Sequence, residues 1–157
     1  MTGLLHDADY ELFPDTEDAE QGHPRTIIAE LQRRDAPPEM VRAIACHADI
    51  LGIAPQSPME RTLVAVDELC GFLAACAHVR PEGIHGLTAR SVNKKLKQPS
   101  FAAAVNRDEV RGGADKLGID FDEHVAFVIA ALQARAHELD LHGRGAAAAD
   151  RGRAERA

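Results

Sequence analysis

Five histidine and aspartate residues interrupt stretches of apolar, helix-forming sequence. The stretches read LLHDADYE, GHPRT, ACHADI and VAVDEL. The five residues that they carry are His6, Asp7, His23, His47 and Asp67. Imidazole nitrogens combined with carboxylate oxygens suit manganese, iron, cobalt, nickel or zinc better than calcium. The pattern therefore raises the hypothesis of a metal site, for which these five residues are the candidate ligands.

Asp67 and His47 each stand on the apolar face of a predicted helix. The residues three and four positions away are Leu63, Val64, Cys70 and Gly71 for Asp67, and Ala43, Ile44, Ile50 and Leu51 for His47. A buried carboxylate costs free energy unless it is paired, hydrogen-bonded or bound to a metal. Taken singly, each residue has an ordinary alternative: a hydrogen-bonded core histidine, or an aspartate paired with arginine.

His6, Asp7 and His23 carry less information when each is taken alone. A His-Asp dipeptide arises readily by chance in a chain of this composition. His23 stands beside Pro24, ahead of a predicted helix, where a surface-loop histidine is the ordinary alternative. The metal hypothesis therefore depends on the order of all five residues along the chain.

The charge and composition exclude several classes of protein. The chain has 157 residues, a net charge of -7 at pH 7 and a hydrophobic content of 45%, which is typical of one globular domain. An acidic chain lacks the broad basic surface that general binding to nucleic acid or to an anionic membrane requires. No apolar run approaches the roughly 18 residues of a membrane span, and no signal sequence is recognisable, so we expect a cytoplasmic protein.

Cys46, Cys70 and Cys76 lie in apolar runs and show no C-x-x-C spacing. We expect reduced thiols in the core, in a reducing compartment. Cys46 adjoins His47, but neighbouring helical residues point about 100° apart, so this pair is not expected to act as nucleophile and base.

The apolar spacing is helical throughout, which predicts an all-α fold. We expect helices at about 4–9, 24–34, 38–49, 59–79, 88–97, 107–117 and 120–139, with a short segment at 101–105. Asn106 and Asp120 are predicted N-caps, and Gly118 is a predicted C-terminal stop. We expect 1–142 to form a single helical domain and 143–157, rich in alanine and arginine, to be a disordered tail.

The ordered set LLHDADYE, GHP, CHAD and AVDEL resembles the HD-domain metal-dependent phosphohydrolases. The segments SVNKKLKQPSFAAAVNR and LGIDFDEHV resemble a bacterial and archaeal subgroup of these hydrolases, and the resemblance covers residues 3–139. It implies an all-helical bundle that holds one or two divalent metal ions. It further implies that Asp7 bridges the two ions, that His6 and Asp67 bind one, and that His23 and His47 bind the other.

The family normally supplies one more histidine from a helix upstream of the His-Asp pair, whereas five residues precede His6. The start was assigned too late, the chain was trimmed, or the protein has diverged. We expect one impaired metal site and one nearly intact site, formed by Asp7, His23 and His47. A missing helix is also expected to expose apolar surface at Leu4, Leu5 and Phe13, which favours either a homodimer or instability.

The resemblance implies a phosphorylated substrate, and acidic ligands repel phosphate unless cations offset them. The segment RSVNKKLK gathers basic residues in an otherwise acidic chain. We expect Arg90, Ser91, Lys94 and Lys95 to contact substrate phosphate, with Asn106-Arg107 as a weaker candidate. The alternative is a solvated helix face whose charges serve solubility.

These patterns favour an enzyme that hydrolyses a nucleotide or another small phosphoester with metal-activated water. A second hypothesis is a non-catalytic or impaired HD-type module that binds a metal or a phosphorylated ligand. A third, a helical interaction protein without metal, requires the five residues to fall into family order by accident.

Overall fold

The computed structural model describes residues 1–143, and helices make up all the regular secondary structure in that range. The elements are α1 Thr2–Leu5, α2 Arg25–Arg33, α3 Pro38–His47, α4 Pro58–His78, α5 Ala89–Leu96, α6 Arg107–Leu117 and α7 Phe121–Gln133, with 3-10 turns at Asp49–Leu51 and Gly83–Gly86. The all-α prediction is confirmed. Across the described range, no helix has the length and apolar character needed to cross a membrane.

The chain divides into two compact units, Met1–Val64 and a second that begins at Ala65. In the first unit, α2 and α3 pack around Ile27, Leu31 and Ile44. In the second unit, the core contains large, fully buried side chains from five elements, namely Leu69, Phe72, Ile84, Val92, Val110 and Val125. The single-domain prediction stays a prediction, and the predicted tail lies outside the described residues except for Gly143.

Several helix ends form where local sequence chemistry predicts them. The Asn106 side chain accepts hydrogen bonds from the amides of Asp108 and Glu109, and Gly118 ends α6 in the left-handed conformation with φ of 70°. The Asp120 side chain accepts a hydrogen bond from the amide of Glu123 and starts α7. Each cap satisfies backbone groups that have no partner within the helix.

Two details of the predicted helices differ in the structure: the short segment at 101–105 is not helical, and the last helix ends earlier than expected. Residues 101–105 form turns, because the Arg107 guanidinium donates hydrogen bonds to the carbonyls of Phe101, Ala102 and Val105. α7 ends at Gln133 rather than at 139, since the following turns place the Leu141 carbonyl where it accepts a hydrogen bond from the Ile84 amide at 2.8 Å.

The predicted first helix at 4–9 is also wrong, because α1 ends at Leu5 and turns follow as far as Leu12. The Asp9 carbonyl accepts hydrogen bonds from the amides of Leu12 and Phe13. Of the three apolar residues expected to be exposed, Leu4 is 77% exposed, whereas Leu5 and Phe13 are half-buried. The homodimer stays a prediction.

Gly113 of α6 allows a close approach to α4, and its neighbour Gly112 provides a matched control. A Cβ at Gly113 would lie 2.7 Å from the Cα of Ala65, whereas nothing lies within 4 Å of one at Gly112. We expect Gly113→Ala to lower the free energy of unfolding by about 1 to 2 kcal/mol, because overpacking exceeds the gain in helix propensity. Gly112→Ala should raise it by about 0.5 to 1 kcal/mol. Urea unfolding of both variants tests this, and equal stabilisation would contradict the close packing.

Candidate metal centre

Asp7, His23 and His47 converge within the first unit. Asp7 Oδ1 lies 3.4 Å from His23 Nε2 and 3.4 Å from His47 Nε2. The two Nε2 atoms lie 3.1 Å apart. The three residues form a group that could hold a metal ion. The structure therefore brings together the three residues that the sequence assigned to the nearly intact site.

Each of the three residues reaches the site from a different local element. Asp7 lies in the turns that follow α1, His23 comes two residues before α2, and His47 is the last residue of α3. The loop that carries His23 is held by a hydrogen bond from the His23 amide to the Phe13 carbonyl at 2.9 Å. A Cβ on Gly22 would lie 1.8 Å from the Asp15 carbonyl oxygen, so only glycine fits where this loop crosses itself.

The histidine rings are oriented by hydrogen bonds at Nδ1. His47 Nδ1 lies 2.5 Å from the Ile44 carbonyl oxygen, which can only accept, so His47 carries its proton there. His23 Nδ1 lies 2.6 Å from Asp9 Oδ1, and the carboxylate is likewise an acceptor. With Nδ1 engaged in this way, Nε2 of each ring faces Asp7 and is the nitrogen that can bind a metal ion once it carries no proton.

Asp9 is a candidate positioning residue that the sequence patterns did not single out. It is 4% exposed, and its second oxygen, Oδ2, accepts a hydrogen bond from the Ile27 amide at 2.8 Å. The carboxylate thus joins a candidate ligand, His23, to the first turn of α2. Carboxylates commonly orient metal-binding histidines in this way. The available signal was its place in His-Asp-Ala-Asp, two residues after Asp7.

The donor separations fit a metal ion. Ligand atoms about 2.1 Å from a metal and separated by 90 to 110° lie about 3.0 to 3.4 Å from each other. The observed distances of 3.1, 3.4 and 3.4 Å fall in that range. Two imidazole lone pairs and a carboxylate at such distances repel one another unless a proton or a cation lies between them. A divalent cation would satisfy all three donors together.

Exposure differs among the three side chains. The His23 and His47 side chains are 6% and 4% exposed, whereas that of Asp7 is 51% exposed. The surface-loop alternative for His23 is therefore wrong. Two buried imidazoles with a carboxylate open to solvent leave room for water or substrate on one side, as catalytic metal sites do.

The carboxylate of Asp7 is ionised under ordinary conditions. Its interactions with His47 and then His6 hold the pKa of Asp7 well below its usual value, although partial burial opposes this effect. Asp7 is therefore available as an anionic ligand without first losing a proton.

His6 lies beside the same carboxylate. Its Nε2 is 3.3 Å from Asp7 Oδ2, and its Nδ1 lies 2.9 Å from the Gly3 carbonyl oxygen. The orientation of the ring, with Nδ1 toward a carbonyl and Nε2 toward Asp7, repeats that of His47. Asp67 lies on α4, is half-buried and belongs to the second unit. The assignment of Asp67 as a ligand stays a prediction.

The four main residues expected to contact phosphate, Arg90, Ser91, Lys94 and Lys95, lie on α5 in the second unit. Ser91 forms a capping box with Thr88, in which each side chain accepts a hydrogen bond from the other's amide. Arg90 and Lys94 are exposed, and Lys95 is half-buried. Arg107 is occupied by the three carbonyls of the preceding turn. The role of these residues in substrate binding stays a prediction.

The cysteines are suited to packing rather than to catalysis. Cys46 and Cys76 are buried, Cys70 is partly buried, and all three are free thiols. Burial raises the pKa of Cys70 and of Cys76 to about 11. Thiols of this kind are protonated at neutral pH and are poor nucleophiles.

The first unit also contains a groove that is separate from the candidate metal ligands. It has a volume of about 870 Å³ and is lined mainly by residues of α2, of α3 and of the segments that follow them. None of these lining residues is a candidate ligand.

None of the family models, curated proteins or solved structures compared with this chain matches the chain. Asp7, His23 and His47 therefore provide the main structural basis for assigning a function to this chain.

Proposed function

We propose that the chain is a metal-dependent phosphohydrolase of the HD-domain type, acting on a nucleotide or another small phosphoester. The observation that carries the proposal is the placement of Asp7 Oδ1 at 3.4 Å from both His23 Nε2 and His47 Nε2. The order of the five candidate ligands along the chain supports the same family assignment.

A divalent metal ion bound at this site would lower the pKa of a coordinated water and polarise phosphoryl oxygens. His23 and His47 would supply neutral nitrogen ligands from the buried side. Asp7 would supply negative charge on the side open to solvent. Asp9 and the Ile44 carbonyl would hold the two imidazoles in the tautomer that presents Nε2 to the metal.

Metal analysis and a substrate screen on one preparation test the proposal. We expect purified protein to hold at least one transition metal ion, and to hydrolyse nitrophenyl phosphate or a nucleotide with added manganese. A preparation replete in metal that turns over no member of a broad phosphate panel would instead favour the non-catalytic module. Protein that binds no transition metal would contradict the enzyme and leave, of these two hypotheses, only a module that binds a phosphorylated ligand.

Removing the metal is expected to destabilise the first unit. A ligand present at 1,000 times its dissociation constant stabilises the folded state by about 4 kcal/mol, which corresponds to a melting shift on the order of 10 °C for a chain of this size. Treatment with EDTA should lower the melting temperature, and added manganese or zinc should restore it. Identical melting curves with and without EDTA, for protein shown to contain metal, would exclude this coupling to folding.

A further inference from the structure

A small polar pocket lies in the second unit, at the carboxyl end of α4 and along α5. It has a volume of about 210 Å³, and its lining residues are Cys76, Arg80, Leu87, Ser91, Lys94, Lys95 and Gln98. At about 30 Å³ for each water, the space corresponds to roughly seven water molecules. A small ion or a single chemical group fits this volume, whereas a whole nucleotide does not.

Positive charge dominates the lining. Arg80, Lys94 and Lys95 are cationic, whereas no acidic residue lines the pocket. Arg80 has an acidic neighbour in Glu82, whose carboxylate lies 4.0 Å from Arg80 Nη2 on a side chain that is 62% exposed. Cys76 adds no negative charge, since its buried thiol has a raised pKa. The pocket is therefore strongly positive in a chain whose net charge is -7.

The Arg80 guanidinium is fixed by one hydrogen bond, and another of its nitrogens has no protein partner. Its Nη2 donates a hydrogen bond to the Gly86 carbonyl at 2.7 Å. A Cβ on Gly86 would lie 2.7 Å from the same nitrogen, so glycine allows this contact. Arg80 Nε is buried without a hydrogen-bond partner. A buried donor that lacks a protein partner is uncommon, and a bound water or anion would satisfy it.

Lys95 is also positioned rather than freely extended. Its ammonium lies 4.3 Å from the centre of the Phe101 ring, and the attraction between cation and aromatic face limits its motion. Gln98 and Ser91 add neutral polar groups to the same lining. Guanidinium and ammonium donors gathered around a small space are typical of sites for phosphate groups.

We propose that this pocket binds a small phosphate anion, either inorganic phosphate or the phosphate group of a monoester, through Arg80, Lys94 and Lys95. The inference extends the sequence expectation by adding Arg80 and by leaving out Arg90, which does not line the pocket. It does not depend on the metal centre, because the pocket and all its cations belong to the second unit.

Calorimetric titration of the full chain after EDTA treatment and dialysis tests the proposal without any contribution from bound metal. The probes are inorganic phosphate and glycerol phosphate, with acetate as the control anion. We expect both phosphates to bind and acetate not to bind. The ratio of the two phosphate affinities tells whether the free ion or the monoester is preferred. Absence of phosphate binding up to about 10 mM would overturn the proposal.

Variants that each remove one positive charge distinguish phosphate binding in the pocket from attraction by general surface charge. Lys94→Ala and Arg80→Gln should each weaken phosphate binding about tenfold, because each removes a charged donor. Lys97→Ala is the control, since Lys97 carries the same charge at the end of α5 and does not line the pocket. Lys94 is exposed, so its replacement tests the proposal even where Arg80→Gln unfolds. Equal weakening by Lys97→Ala would overturn the proposal.

Discussion

Replacement of Asp7 by alanine is expected to abolish metal-dependent phosphate hydrolysis and to weaken metal binding. Asp7 is the one anionic donor in the group with His23 and His47, and it lies 3.4 Å from both Nε2 atoms. A correctly held metal supplies several kcal/mol of transition-state stabilisation. A loss of about 4 kcal/mol lowers kcat/KM about 1,000-fold. Steady-state kinetics with manganese, together with metal analysis after dialysis, measures both effects.

Glu11→Ala is the control for this variant, because Glu11 is an exposed carboxylate four residues away in the same turn region. We expect it to keep both activity and metal content. Asp7→Ala protein that retains its metal and its turnover would remove Asp7 from the chemistry. Loss of turnover in Glu11→Ala as well would indicate that folding of the turn, rather than ligation, had been tested.

Asp9→Ala is expected to cost both metal affinity and stability, although Asp9 touches no metal in the proposed site. It leaves the Nδ1–H of His23 and the amide of Ile27 buried without an acceptor. An unpaired buried donor costs about 1 to 3 kcal/mol. Loss of an orienting partner typically weakens metal binding about 10- to 100-fold. Urea unfolding of the metal-free protein and competitive titration with a metal chelator measure the two effects separately.

Asp9→Asn and Asp18→Asn sharpen the test. The asparagine at position 9 keeps one acceptor oxygen for two donors, so we expect an intermediate loss of metal affinity. Asp18 also accepts two backbone hydrogen bonds, from Glu20 and Gln21, but it is exposed. Asp18→Asn should therefore leave metal affinity unchanged. If Asp9→Ala lowers stability alone, with unaltered metal affinity, Asp9 has a structural role and does not position His23.

The capping residues show which parts of the fold were predictable. Asn106, Gly118 and Asp120 act on amides and carbonyls within four residues of themselves, so their roles follow from local sequence. The segment 101–105 has helix-compatible residues but forms turns, because Arg107 binds its carbonyls from the first position of the next helix. Helix propensity depends on the residues of the segment itself, so it does not predict hydrogen bonds that come from Arg107, outside the segment.

The candidate metal centre was also predictable only in part. The resemblance to the HD-domain phosphohydrolases, carried by the order of the residues along the chain, was what grouped Asp7, His23 and His47 as one candidate site. Asp9 was missed because its partners lie 14 and 18 residues away. Nothing in the turn around Asp9 indicates that its carboxylate is buried. Arg80 was missed for a comparable reason, because its partner, the Gly86 carbonyl, and the pocket residues of α5 are brought to it by the turns that follow α4.

By itself, the sequence determined the all-helical class, because apolar periodicity depends only on residue type and spacing. The candidate set of two imidazoles and a carboxylate came from the resemblance to the HD-domain family. Only the tertiary structure decided which imidazole nitrogen faces Asp7. That choice depends on where the Ile44 carbonyl and the Asp9 carboxylate lie relative to each ring. Those positions are produced by turns and helix packing that bring distant backbone groups together, so no local pattern contains them.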